Sequence, residues 1–265
     1  MITTDFVPGS PCWIDLGAPD TGAAAAFYGT VLGWDYEPGS GGYGFFRLDG
    51  RLVGGLGPLT EEGARPAWTV YFHTPDAEAT AEAAQTAGGT VRVPPTDVGH
   101  GRVAHLTDPL GAQFGVWQPG NGDGARNGLE AVDEAAALCW VELYTTDAAA
   151  ARRFYGGLFG WRTEDVDMPG GGTYTVLTPA DADRDRAHGG VLELPAGQLT
   201  LGGGRPWWHP VFAVEDCDAT VRAVVAGGGS VQMGPEDVPG VGRLAACLDP
   251  SEADFVLLRP ATEAG

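Results

Sequence analysis

The chain has 265 residues, room for two domains that each bury a core, and 43% of it is apolar, which excludes a disordered polypeptide. A formal net charge of −20 argues against nucleic acid or an anionic membrane as partner, since both need a basic surface. All fifteen basic residues are arginines, so Schiff-base chemistry and lysine-anchored pyridoxal phosphate are excluded.

The first ten residues show no basic region followed by an apolar core, so no signal peptide is read there. No apolar run reaches the roughly 18 residues that a membrane span needs. A cytoplasmic protein is expected, either monomer or homodimer. Cys12, Cys139, Cys217 and Cys247 lie far apart without a CxxC and are expected as buried free thiols.

Residues 12–18 alternate, with Ile14 and Leu16 on one face of a strand and Trp13 and Asp15 on the other. Asp20 stands where a helix cap belongs, 23–32 carries an apolar stripe at helical spacing, and Gly33 ends it. The glycine-punctuated stretch 36–56 predicts short antiparallel strands. A second βαβββ unit opens at 67–72, with Asp76 as cap, a helix over 77–87, and strands at 91–93, 101–106 and 113–117. Its last two strands are joined by a tight Asp108-Pro109-Leu110-Gly111 turn.

The plan then repeats. Cys12-Trp13-Ile14-Asp15-Leu16, Asp20, Phe27-Tyr28 and Gly33-Trp34 return as Cys139-Trp140-Val141-Glu142-Leu143, Asp147, Phe154-Tyr155 and Gly160-Trp161, at a constant offset of 127. Self-similarity at this period marks a duplicated domain rather than a short-repeat solenoid. Arg65-Pro66 recurs as Arg205-Pro206, with Asp216 and Asp249-Pro250 matching the later cap and turn. The fold class expected is α+β, with four βαβββ modules paired into two tandem cupped sheets. The domains are 1–118 and 138–265, joined by a glycine-rich linker over 119–137.

This arrangement, with Phe-Tyr-x-x-x-Leu/Phe-Gly-Trp after each first cap and Asp-Pro-x-Gly before the last strand, resembles the vicinal oxygen chelate superfamily. Glyoxalase I, extradiol dioxygenases and bleomycin-resistance proteins share that build. The resemblance implies helices outside a cavity. It also implies metal ligands seven residues before each cap aspartate and seven past each turn aspartate. Those positions here hold Trp13, Thr69, Trp140, His209, Gly115 and Val256. Only His209 could bind an ion, with Glu193 as a second ligand and no third, whereas a catalytic site needs roughly three. No metal and no other cofactor are expected.

Alternation then sets Trp13, Asp15, Thr69, Tyr71, His73, Trp140, Glu142, Tyr144 and His209 toward the cavity, joined by Gln113, Trp117 and Asp254 of the closing strands. Trp208, next to His209, is added to the binding set. Aromatic walls with a few polar groups suit a small molecule, and indoles stack on planar or cationic ligands. The plainer reading is that the tryptophans fill a shrunken cavity and the acids face water. His73 and His105 read as structural strand histidines, His100 and His188 as loop histidines. The expected function is metal-independent binding, of the bleomycin-resistance type, of a planar or hydrophobic natural product, cationic or neutral, for sequestration or antibiotic self-resistance. The alternative is an isomerase, cyclase or epimerase of secondary metabolism with Asp15, Glu142 or His209 as general base.

Overall fold

Four aspartates open the four helices of the computed structural model, each carboxylate accepting the amide three residues on: Asp20 from Ala23, Asp76 from Ala79, Asp147 from Ala150 and Asp216 from Ala219. Gly33 and Gly160 close the first and third in the left-handed conformation, at φ 72° and 69°. The structure describes residues 1–60, 63–121, 127–168, 171–180, 182–199 and 202–261.

The first half runs β1 (Pro11–Ala18), α1 (Thr21–Leu32), β2 (Asp35–Pro38), β3 (Gly44–Leu48) and β4 (Arg51–Pro58). It continues β5 (Ala67–His73), α2 (Ala77–Thr86), β6 (Thr90–Asp97), β7 (Gly101–Thr107) and β8 (Gln113–Pro119). The second half repeats it with β9 (Leu138–Thr145), α3 (Ala148–Phe159), β10 (Arg162–Asp167), β11 (Thr173–Thr178) and β12 (Gly189–Glu193). Then come β13 (Trp207–Ala213), α4 (Cys217–Ala226), β14 (Ser230–Val238), β15 (Gly242–Leu248) and β16 (Asp254–Pro260). These are the four expected βαβββ modules. The strand orders are β2-β3-β4-β1-β5-β8-β7-β6 and β10-β11-β12-β9-β13-β16-β15-β14. In every module the first strand runs parallel to the last, because a helix carries the chain back before the antiparallel strands begin.

By packing, the chain groups into two compact units. The first holds Met1–Trp13, Thr69–Gly128 and Trp140–Trp208; the second holds Ile14–Trp68, Leu129–Cys139 and His209–Gly265. Each has one tyrosine at the centre of its core, the Tyr of the repeated Phe-Tyr pair. In the first unit Tyr155 stacks on Trp161 at 5.4 Å and meets Trp208 edge-on at 5.3 Å, with Phe72, Phe114 and Phe159 around them. Trp208 Nε1 donates to Tyr155 Oη (2.9 Å), which donates to Asp108 (3.2 Å) in the Asp-Pro turn.

The second unit repeats the chain of bonds: Trp68 Nε1 to Tyr28 Oη (3.0 Å), and Tyr28 Oη to Asp249 (3.4 Å). Trp34 stacks on Tyr28 at 5.6 Å. Burial, and then the neighbouring aspartate, push both phenols well above their usual pKa, so they stay protonated donors. Asp108 and Asp249 also accept amides within their own turns, which satisfies carboxylates that would otherwise be costly to bury.

Part of the expected linker, 122–126, lies outside the described residues. The remainder is better anchored than its glycine content suggests. Leu129, Ala131 and Ala137 are buried, Glu130 bonds Leu52 through its amide and its carboxylate, and Trp34 Nε1 donates to Ala136 O at 2.7 Å. All four cysteines are buried, and none of them forms a disulfide.

Candidate functional site

Each module carries a hydrogen-bonded pair that joins a tyrosine or a histidine to a second titratable side chain. Tyr43 Oη donates to Asp15 (3.3 Å), Tyr71 Oη meets His105 Nε2 (3.1 Å), Tyr174 Oη donates to Glu142 (2.6 Å), and His209 Nδ1 meets Asp254 (2.9 Å). Three of the four use the same device. In register, Gly55 lies opposite Asp15, Gly190 opposite Glu142, and Gly115 opposite both Tyr71 and His105. Each glycine leaves a gap that a tyrosine ring fills. A Cβ on Gly55 would come within 1.9 Å of Tyr43, on Gly115 within 2.0 Å of Tyr71, and on Gly190 within 2.1 Å of Tyr174. The glycines are there because a flat ring must cross a strand to reach its partner.

The fullest cluster is in the first unit. Ionisable and aromatic groups of β9 alternate with buried Val141 and Leu143, so Trp140, Glu142 and Tyr144 share the half-buried face. Trp140 Nε1 donates to Tyr174 Oη at 2.7 Å, so an indole, a phenol and a carboxylate form one directed chain. Tyr144 meets Trp207 edge-on with centroids 5.1 Å apart. Burial, then the charge of Glu142, hold the Tyr174 phenol well above its ordinary pKa. Still in the first unit, Cys12, Tyr71 and Trp117 form a buried cluster against which Phe6, Trp13 and Val103 pack. His73 abuts it in sequence and register, with Nδ1 buried and unpartnered. Burial lowers the pKa of both His73 and His105, helped at His105 by Arg92. In the second unit lie Asp15 with Tyr43, and His209, 2% exposed, with Asp254.

Several sequence expectations are placed differently. Trp208 is 2% exposed and faces the aromatic core beside Phe72 and Tyr155, because it is out of phase with Trp207 along β13. Glu193 does not turn toward an ion: its carboxylate accepts the Ala148 amide at the start of α3 (2.9 Å). Gln113 is exposed and accepts from Arg92 at 2.6 Å. His188 lies in the loop just before β12, as expected, yet it is 1% exposed, against Trp161. Thr69 is half-buried on β5. Tyr43 and Tyr174 were missed altogether. The available signal was that both halves place a tyrosine two residues before the one that faces the strand glycine, Phe45 opposite Gly55 and Val176 opposite Gly190.

Two family models match the two halves. One, the glyoxalase/bleomycin resistance protein/dioxygenase superfamily, covers residues 137–257, and the other, a glyoxalase-like domain, covers 13–117. The chain belongs to that superfamily. Among its relatives is the anthracycline biosynthesis protein DauV of Streptomyces sp. (strain C5), 42% identical over 95% of this chain and 94% of that one. Among solved structures, the fold is shared with 2,2',3-trihydroxybiphenyl 1,2-dioxygenase from Sphingomonas wittichii strain RW1. There the TM-score is 0.65 at 14% identity, over 96% of this chain and 91% of that one. The Mn(II)-bound glyoxalase from Novosphingobium aromaticivorans gives 0.63 at 16%, over 96% and 85%.

Metal-bearing members of this superfamily raise the question of an ion here, and the donor set does not fit one. Among the described residues no three His, Cys, Asp or Glu side chains gather closely enough to hold it. At Gly115, one of the superfamily's ligand positions, the Tyr71 ring occupies the space a side chain would need. No helix is long and apolar enough to cross a membrane, a statement that covers the described residues.

Proposed function

We propose that the chain is a metal-independent small-molecule-binding protein of secondary metabolism, holding a planar aromatic natural product in the manner of a sequestering resistance protein. The observation that carries this reading is the Trp140–Tyr174–Glu142 chain flanked by Tyr144 and Trp207. Its rings are locked by hydrogen bonds and by Gly190, so a ligand that stacks on them orders little that is not already ordered. The relative named for anthracycline biosynthesis supports a polycyclic aromatic ligand. Tyr43 with Asp15 offers the first half a similar phenol–acid pair.

The test is titration with an anthracycline while tryptophan emission is followed. Saturable quenching, with the ligand recovered unchanged by mass spectrometry, is expected. A second reading, an isomerase, cyclase or epimerase, is favoured by the His209–Asp254 pair, an imidazole and a carboxylate in hydrogen-bond contact. A product that disappears in Asp15→Asn, Glu142→Gln or His209→Ala would select it.

A further inference from the structure

The first unit carries a cavity of about 390 Å³ between the end of α2 and the Asp-Pro turn. Its walls include Thr90, Arg92, Thr107, Gln113 and Arg205. Guanidiniums, hydroxyls and a side-chain amide are the donors that hold an oxyanion, and the volume suits a small organic molecule. Groups that would repel an anion are occupied. Asp108 is 4% exposed, and its carboxylate accepts from Tyr155 and from the amides of Leu110 and Ala112. At the end of α2 the carbonyls of Ala84 and Gln85 accept the amides of Gly89 and Gly88. Arg92 is anchored to Gln113 at 2.6 Å. Arg205 is exposed, and its stem lies over the turn, with Cβ and Cδ 3.9 Å from where a side chain on Gly111 would begin. Among the described residues no carboxylate pairs with the Arg205 guanidinium, whereas Arg102, Arg152 and Arg243 are paired with Glu78, Asp165 and Asp218.

The second unit offers an internal comparison. There β14 opens at Ser230 as β6 opens at Thr90, and β16 opens at Asp254 as β8 opens at Gln113. In that register Arg65 matches Arg205, but Gln232 stands for Arg92, Glu252 for Gly111 and Asp254 for Gln113. One copy sets a single arginine among two added acids, and the other sets two arginines beside a neutral amide. The cationic wall is therefore no requirement of the shared fold.

We propose that this cavity binds a small organic oxyanion, a phosphate ester or a carboxylate, gripped by Arg205 with Thr90, Thr107 and Arg92 around it. The net charge of −20 opposes such a ligand at long range. At physiological ionic strength that field is screened beyond about 8 Å, while a guanidinium grips an oxyanion at about 2.8 Å. The site is separate from the Trp140–Tyr174–Glu142 chain and does not rest on the function proposed above.

The experiment is two-dimensional NMR on the full chain, titrated with phenyl phosphate, benzoate and uncharged benzyl alcohol. Saturable shifts of the Gly88, Thr90, Gly111 and Arg205 amides are expected with at least one of the two anions and not with the alcohol. Whichever anion binds more tightly names the headgroup. Arg205→Gln, and Gln113→Glu, which brings in the charge that Asp254 carries in the second unit, should each raise the dissociation constant by about tenfold or more. Both residues are exposed, so unshifted core resonances will verify that the variants fold. Arg65→Gln removes the matching arginine of the second unit and should leave the affinity unchanged. The inference is overturned if neither anion shifts these amides, if benzyl alcohol shifts them equally, if the affinity survives either Arg205→Gln or Gln113→Glu, or if Arg65→Gln loses as much.

Discussion

At the scale of single residues, His188 is the plainest anomaly. It is 1% exposed, and neither ring nitrogen has a partner. The matching position in the other half, two residues before the strand glycine, holds fully buried Val53. An imidazole in an apolar slot loses its hydration without replacement, and burial lowers its pKa to about 3. The folded pKa lies below the unfolded value near 6.5, so the unfolded chain binds the proton first. The stability tied to a neutral His188 is whole above about pH 6.5 and is lost as pH falls toward about 3, at up to about 1.4 kcal/mol per pH unit. His188→Val is expected to stabilise the chain by about 1 kcal/mol at pH 7, with an advantage that widens below pH 6.5. Denaturant midpoints at several pH values check this; an unchanged difference between wild type and variant from pH 7 to 4 would refute it. At Gly190 the opposite is expected. A methyl 2.1 Å from the Tyr174 ring must expel it from Glu142, so Gly190→Ala should lower stability by ~1–3 kcal/mol and weaken ligand binding. Thermal melting and ligand titration read the two effects separately. Neither residue stood out in the sequence, because a glycine pair and a histidine beside it look alike in a turn and in a sheet.

At the scale of elements, most of the architecture was legible. An aspartate, an apolar stripe and a closing glycine define α1 and α3 by local chemistry that needs no distant partner. Asp147→Ala removes the 2.8 Å bond to the Ala150 amide and should cost about 1 kcal/mol, read as a lower thermal midpoint. Asp147→Asn, which keeps the acceptor, should recover most of the loss. Alternation likewise predicts the burial contrast along β1 and β9, where Asp15 and Glu142 are half-buried between buried neighbours. It also sets Trp208 out of phase with His209, so the place of Trp208 in the aromatic core follows the strand period and not its sequence neighbour. Glu193 was ambiguous: a carboxylate at a strand end suits an ion or a helix N-terminus, and α3 supplies the nearer donor.

At the scale of the whole molecule, each compact unit draws on both halves of the chain. Tyr28, from the first half, donates to Asp249 of the second, while Tyr155 of the second donates to Asp108 of the first. Cutting the chain within 119–137 therefore leaves, in each separate piece, a buried phenol without its carboxylate and a buried aspartate without its phenol. A 1–118 fragment is expected not to reach a cooperative fold alone, and to recover native near-ultraviolet dichroism only on mixing with 138–265. A cooperative melt by the isolated fragment would contradict this. Within the intact chain, Tyr155→Phe should cost ~2–4 kcal/mol, because it strands both Trp208 Nε1 and the buried Asp108. Chemical denaturation measures that cost.

Duplication, module order and helix caps were all determined by the amino-acid sequence itself. They depend on residue type and short spacing, and both are visible along the chain. Which tyrosine lies over which glycine, which indole feeds which phenol, and which half supplies the aspartate under each core tyrosine were decided only in three dimensions. Those are contacts between residues tens to hundreds of positions apart, and no local preference encodes a partner at that distance.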